Sequence, residues 1–265
     1  MNSRLIPLPL LLVVVASQAN AVGPTSRLYI MNYGEFGANT GMDMIQGVTS
    51  SSVNTGYPLD ICIGVAGGDV RTMGYSGGDQ GEKFDLNGNF IGGGPYTNSI
   101  QLSQLHDGTS DGSYNYSIDY TTGDVLRFDR NWASPTVVFN AAPQMVGAGW
   151  ITMDTSDGSF WLSQWGGPDL VQHRSSTGTL LSSFNSGVLG SAGLAFDRID
   201  GTLWMGDYNL NLYQFDQAGN LLQTQAWGGK LTGQWYGMEF ETTPVPEPGT
   251  LALGLLALPV LRRRR

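Results

Sequence analysis

Gly193-Leu194-Ala195-Phe196-Asp197-Arg198-Ile199-Asp200-Gly201-Thr202-Leu203-Trp204-Met205 has a counterpart upstream. It is Gly149-Trp150-Ile151-Thr152-Met153-Asp154-Thr155-Ser156-Asp157-Gly158-Ser159-Phe160-Trp161-Leu162, and from Asp154 onward the two run at an offset of 43 residues. Each holds an apolar run, a turn closed by Asp-Gly and a second run carrying tryptophan. That is the pattern of two short strands around a tight turn. Downstream, the stretch 212–222 matches 170–181 and 83–91, and less closely 125–129. The clearest marker is an aromatic ending the second strand of each unit: Tyr33, Tyr75, Tyr120, Trp165 and Tyr208, spaced 42, 45, 45 and 43 residues apart. Four residues before it stands Tyr29, Arg71, Tyr116, Trp161 or Trp204. Seven before it, Gly68, Gly158 and Gly201 mark the preceding turn, with Gly112 one place out of register.

A self-similar period near 44 residues, read as four strands, is the blade of a β-propeller. One blade cannot bury both its faces, and stacking in a ring supplies the core. In the unit from 149 to 185 the strands are predicted at 150–154, 159–164, 170–174 and 179–184. Residues 22–243 hold five such units, so the expected fold is all-β: a five-bladed propeller of four-stranded blades. The first unit has a second strand at 28–33 but no first strand before it. Trp235-Tyr236-Gly237-Met238-Glu239-Phe240-Glu241 reads as an orphan first strand and is predicted to complete blade one, joining both ends of the chain in one sheet and removing open edges. A two-sheet sandwich is the other all-β candidate, but it does not demand five copies of one unit. The register resembles the loose propeller repeats of the NHL and streptogramin-lyase kind; that resemblance implies architecture and little about activity.

The two ends read as addresses. Arg4, the apolar run 5–16 and Ala19-Asn20-Ala21 have the order of a signal peptide over residues 1–21, with Val22 as the mature start. Residues 244–265 begin with the stiff Pro244-Val245-Pro246-Glu247-Pro248 and continue as a leucine-rich run, expected as a tail helix. They end in Arg262, Arg263, Arg264 and Arg265, a cationic stop held on the cytoplasmic side. The apolar run of 250–261 is short against the ~20 residues that span a bilayer. Val245, Pro246, Glu247 and Pro248, the apolar run and the arginine cluster resemble the PEP-CTERM sorting signal. That resemblance implies cleavage near Pro-Glu-Pro by an exosortase, a transient hold in the inner membrane, and release to the outer envelope or matrix of an exopolysaccharide-producing bacterium.

The chain carries 13 basic and 22 acidic residues. With Arg4, Glu247 and the terminal arginines set aside, the body keeps eight basic and 21 acidic residues, a net charge near −13 that argues against nucleic acid as a partner. Cys62 is the single cysteine and, between Ile61 and Ile63, is expected in the core. Of the two histidines, His173 is aligned with the slot of Phe84, Phe128 and Phe215, a packed third-strand position. His106, beside Asp107, falls near the central channel and is the weak candidate for catalysis, as a hydrolase or lyase using His106 with channel acids. Asp85-Leu86-Asn87-Gly88-Asn89 imitates the start of a calcium loop, but its twelfth position is Tyr96. A hairpin turn is the simpler account, so no cofactor is expected beyond adventitious calcium on an acidic surface. The positive candidate is the rim formed by Tyr33, Tyr75, Tyr120, Trp165 and Tyr208. Aromatics leading into polar and glycine-rich loops suit stacking on sugar rings, although the same rings could simply pack between blades. The expected role is a non-enzymatic binding or structural module, with polysaccharide as the ligand class.

Overall fold

The computed structural model describes residues 26–100, 104–142, 144–145, 147–165 and 169–241. The signal peptide, the sorting residues Val245 to Pro248, the tail helix and the four terminal arginines lie outside them. Among the described residues no helix is long and apolar enough to cross a membrane.

The described residues form a ring of five blades. Blade one holds β1 (Leu28–Phe36), β2 (Asn39–Gln46) and β3 (Thr49–Asn54). Blade two holds β4 (Asp60–Ala66), β5 (Asp69–Gly74), β6 (Gln80–Gly81), β7 (Lys83–Asp85) and β8 (Tyr96–Thr97). Blade three is β9 (Thr109–Ser110), β10 (Tyr114–Ile118), β11 (Asp124–Asp129) and β12 (Thr136–Asn140). Blade four is β13 (Ala148–Asp154), β14 (Ser159–Gln164), β15 (Leu170–Arg174) and β16 (Leu180–Asn185). Blade five is β17 (Ser191–Asp197), β18 (Thr202–Asp207), β19 (Asn211–Phe215) and β20 (Leu221–Ala226). The last strand, β21 (Gln234–Phe240), closes the ring as the sequence predicts. It pairs antiparallel with β1, Leu28 opposite Phe240 and Tyr33 opposite Gln234, and supplies blade one with its innermost strand.

Burial grades from the axis outward. Every residue of β4 and β17 is buried, because an inner strand is covered by neighbouring inner strands as well as by its own sheet. The outermost strands β16 and β20 are largely exposed. The apolar side chains between blades form five clusters, one for each interface around the ring. Trp204 and Leu212 meet Leu28, Ile30 and Phe240 where blade five joins blade one, so the closing strand is also a packing element. Cys62, with Met73, packs against Leu105, Phe128 and Trp132 between blades two and three, the core position expected of it.

Blade two is the irregular one. Its main sheet has three strands, with β6 and β8 forming a separate ribbon and Phe90 meeting Phe84 in a single bridge. The cause is local: Ile91-Gly92-Gly93-Gly94-Pro95 diverts the outer strand, and Pro95 has no N–H for a ladder. The outer hairpin turns of blades two to five share one device. The carboxylates of Asp85, Asp129 and Asp216 each accept the backbone N–H groups two and four residues on. Asp85 therefore caps its own turn, which is the hairpin reading of that loop. Ser175 makes the equivalent bonds in blade four. Because Phe84, Phe128 and Phe215 each precede the turn-capping residue, the matching residue in blade four is Arg174, and the alignment of His173 with them is off by one. His173 lies opposite Trp161, as Gln214 lies opposite Trp204, and stacks on that indole at 4.0 Å.

A candidate binding site at the propeller mouth

Leu105, His106 and Asp107 lead into β9, the inner strand of blade three, and the last two occupy the axis. Asp107 is fully buried, and each of its oxygens accepts two backbone N–H bonds. Oδ1 takes those of Gly108 at 2.8 Å and Met238 at 2.9 Å; Oδ2 takes those of Ile151 at 3.1 Å and Leu194 at 3.2 Å. The four donors belong to the inner strands of blades three, one, four and five. Burial pushes the carboxyl pKa up and the four N–H bonds oppose it. Every bonding partner is a donor, so the geometry matches the ionised form. A single carboxylate thus stoppers the channel and ties four blades together.

Above this stopper lies His106, 5% exposed. Its ring is sandwiched between Tyr75 at 5.0 Å and Tyr120 at 5.4 Å, and meets the edges of Trp165 and Tyr236. Burial pushes its pKa down to about 4, so the imidazole is neutral near neutral pH, and Nδ1 has no hydrogen-bond partner among the described residues. Over it opens a cavity of about 280 Å³, whose walls include Tyr75, Trp165, Tyr208, Tyr236 and Leu59, with Gln104 as the amide.

Tyr75, Tyr120, Trp165 and Tyr208 converge, each placed just past the end of its blade's second strand, where the chain leaves the sheet at the mouth, whereas Tyr33 lies inside β1, which runs on to Phe36. They divide in role. Trp165, Tyr75 and Tyr208 line the cavity. Tyr120 is committed to His106 and to the edge of Trp165. Tyr33, 37% exposed, stands outside and meets Tyr236 edge-on. Tyr236, from the closing strand, is the central wall: Tyr33, Tyr208, Trp150 and His106 all contact its ring. Among the described residues no carboxylate or cation lines the cavity. Asp107 is occupied by backbone, and the other axial acid, Glu239, lies beyond it with Thr152 and Arg198 at 3.5 and 3.4 Å. His173, on Trp161 and bonded to Ser159 at 2.7 Å, is remote from the mouth. Among the described residues no cluster of three or more His, Cys, Asp or Glu side chains is placed to hold a metal ion.

Sequence reasoning reached the ring and His106 but missed Tyr236, Gln104 and the part played by Asp107. One signal was available. In register, Asp107 takes the inner-strand slot of Trp150, Gly193 and Gly237, where a charged side chain is out of character and must find partners on the axis.

No protein-family model matches the chain, and no curated protein matches it. Among solved structures, a virginiamycin B lyase from Staphylococcus aureus is similar at TM-score 0.39 and 14% identity, over 74% of this chain and 58% of that chain; so low a score carries no argument. A chain of the nidogen/laminin complex is similar at TM-score 0.56 and 14% identity, covering 83% of this chain and 99% of that chain. What this likeness shows is the fold, a β-propeller.

Proposed function

We propose that this protein is an exported, exosortase-sorted module of the bacterial envelope that binds without chemistry, and that its mouth takes a sugar unit of an exopolysaccharide. The observation that carries the binding reading is the convergence of the strand-end aromatics on one cavity. Aromatic faces with an amide and phenol hydroxyls at their edges suit a pyranose, apolar on its C–H faces and polar at its rim. The stopper at Asp107 and His106 makes the cavity a blind pocket, so a chain end or side branch enters from one face. Nothing at the site favours the hydrolase or lyase reading, which needs His106 to converge with acids.

Affinity electrophoresis in polysaccharide-containing gels tests this. The wild-type chain is expected to be retarded, and Tyr75→Ala and Trp165→Ala to run free; retardation unchanged in both overturns the ligand site. Mass spectrometry of protein co-expressed with an exosortase tests the sorting: a chain ending near Pro246-Glu247-Pro248 supports it, and an intact tail overturns it.

A further inference from the structure

The charges of this propeller are segregated along its axis. The strands of each blade run between the mouth, where second strands pass to third, and a far end carrying the tight turns. The described arginines and Lys83 all engage the far end. Arg27 holds the carbonyl of Leu86, Arg174 that of Gly178 and Arg198 that of Met153, and the remaining arginines reach the same turns. Lys83 pairs with Asp69. The mouth loops carry Glu35, Asp79, Asp124 and Asp169; the one described cation on their side, Lys230 in the β20–β21 connection, lies over the Trp227 ring at 4.6 Å and turns its ammonium to the Val48 carbonyl in the β2–β3 turn. Burial raises the pKa of the Tyr75 phenol, and Tyr120 and then Asp79 nearby add to it.

At the centre of that acidic rim lies a cavity with uncharged aromatic walls. Tyr75, Trp165, Tyr208 and Tyr236 face one space, and the neighbouring ring planes meet at steep angles: 86° between His106 and Tyr236, 83° between His106 and Trp165, 63° between Tyr208 and Tyr236. Rings set at steep angles around a small volume present negative π faces to its middle, the arrangement that holds an ammonium group. An acidic rim around an uncharged pocket draws cations inward and repels anions. His106 adds no opposing charge, since burial keeps it neutral down to about pH 4. Its Nδ1 is buried and lacks a partner among the described residues.

We propose that the sugar units taken by this mouth are cationic ones, carrying a free protonated amine, in preference to N-acetylated, neutral or uronic units. This deepens the binding reading above and rests on it. Cation–π contact with partly desolvated aromatics accounts for the choice of amine over acetamide, and the acidic loops account for attraction at longer range.

The test is a titration of the full-length chain with glucosamine oligomers and N-acetylglucosamine oligomers of equal length, at a pH where the amine is protonated. Trp165, in the wall, reports through its fluorescence. The expected result is about tenfold tighter binding of the deacetylated oligomer, equivalent to ~1.4 kcal/mol. The preference should shrink when salt is raised from about 0.05 to 0.5 M, as the Debye length contracts. Asp79→Asn with Asp124→Asn should weaken the deacetylated oligomer alone; Trp165→Ala should abolish the preference and Trp165→Phe restore part of it, read by calorimetry. Equal binding, or tighter binding of the acetylated oligomer, overturns the cationic preference and leaves the sugar site standing. Binding of neither oligomer, together with loss of gel retardation, removes both.

Discussion

Replacing Asp107 by asparagine changes one oxygen to an NH₂ group and removes the charge, leaving the shape almost intact. In the wild type each carboxylate oxygen accepts two backbone N–H groups, at 2.8 and 2.9 Å on one and 3.1 and 3.2 Å on the other. Whichever way the amide turns, its NH₂ faces two donors, so two bonds are lost and two buried N–H groups are left without acceptors. Hydrogen bonds to a charged group contribute about 1.5–3 kcal/mol each, giving a gross loss of roughly 3–6 kcal/mol. Removing a buried charge returns part of this, since burial opposes ionisation of Asp107. The net expectation is a destabilisation of about 2–4 kcal/mol, a fall in Tm on the order of 4–16 °C for a domain of this size. Urea unfolding followed by near-UV circular dichroism measures it, with an unchanged m-value showing that the same surface is exposed. A loss below about 1 kcal/mol at neutral pH would refute the ionised, four-fold accepting stopper.

Glu239 is fully buried, and desolvation pushes its pKa up to about 8, the long contact with Arg198 opposing this without offsetting it. An ordinary glutamate loses its proton near 4.5, so the unfolded chain gives up this proton first as pH rises. The stabilisation is complete below about 4.5 and lost as pH rises towards 8, a loss on the order of 3–5 kcal/mol that Glu239→Gln should largely abolish; parallel stability profiles for wild type and variant would contradict it. Gly193→Ala tests the packing of inner strands. At φ +115°, a Cβ there would lie 2.3 Å from the Tyr236 carbonyl oxygen, so a destabilisation of more than about 2 kcal/mol is expected in thermal melts, and a neutral substitution would show that the closing strand can move aside.

The blade count, the closing strand and the ring of strand-end aromatics were legible in the sequence because each follows from local pattern. The turn glycines Gly158 and Gly201 and the aromatics after each second strand repeat with the blade, and strand period and turn chemistry act over a few residues. One slip in that reading, His173 for Arg174, arose because Ser175 replaces aspartate as the turn cap and blurred the alignment. The tertiary structure alone decided what stands on the axis. Asp107 meets Met238 across 131 residues of chain and Leu194 across 87, and no local pattern specifies which blade's inner strand will supply the carboxylate. It also decided that Tyr120 is spent on His106 while Tyr236 becomes the wall, and that the arginines gather at the far end. Those outcomes depend on five sheets meeting around one line, where the space left at the centre sets which side chains can share it.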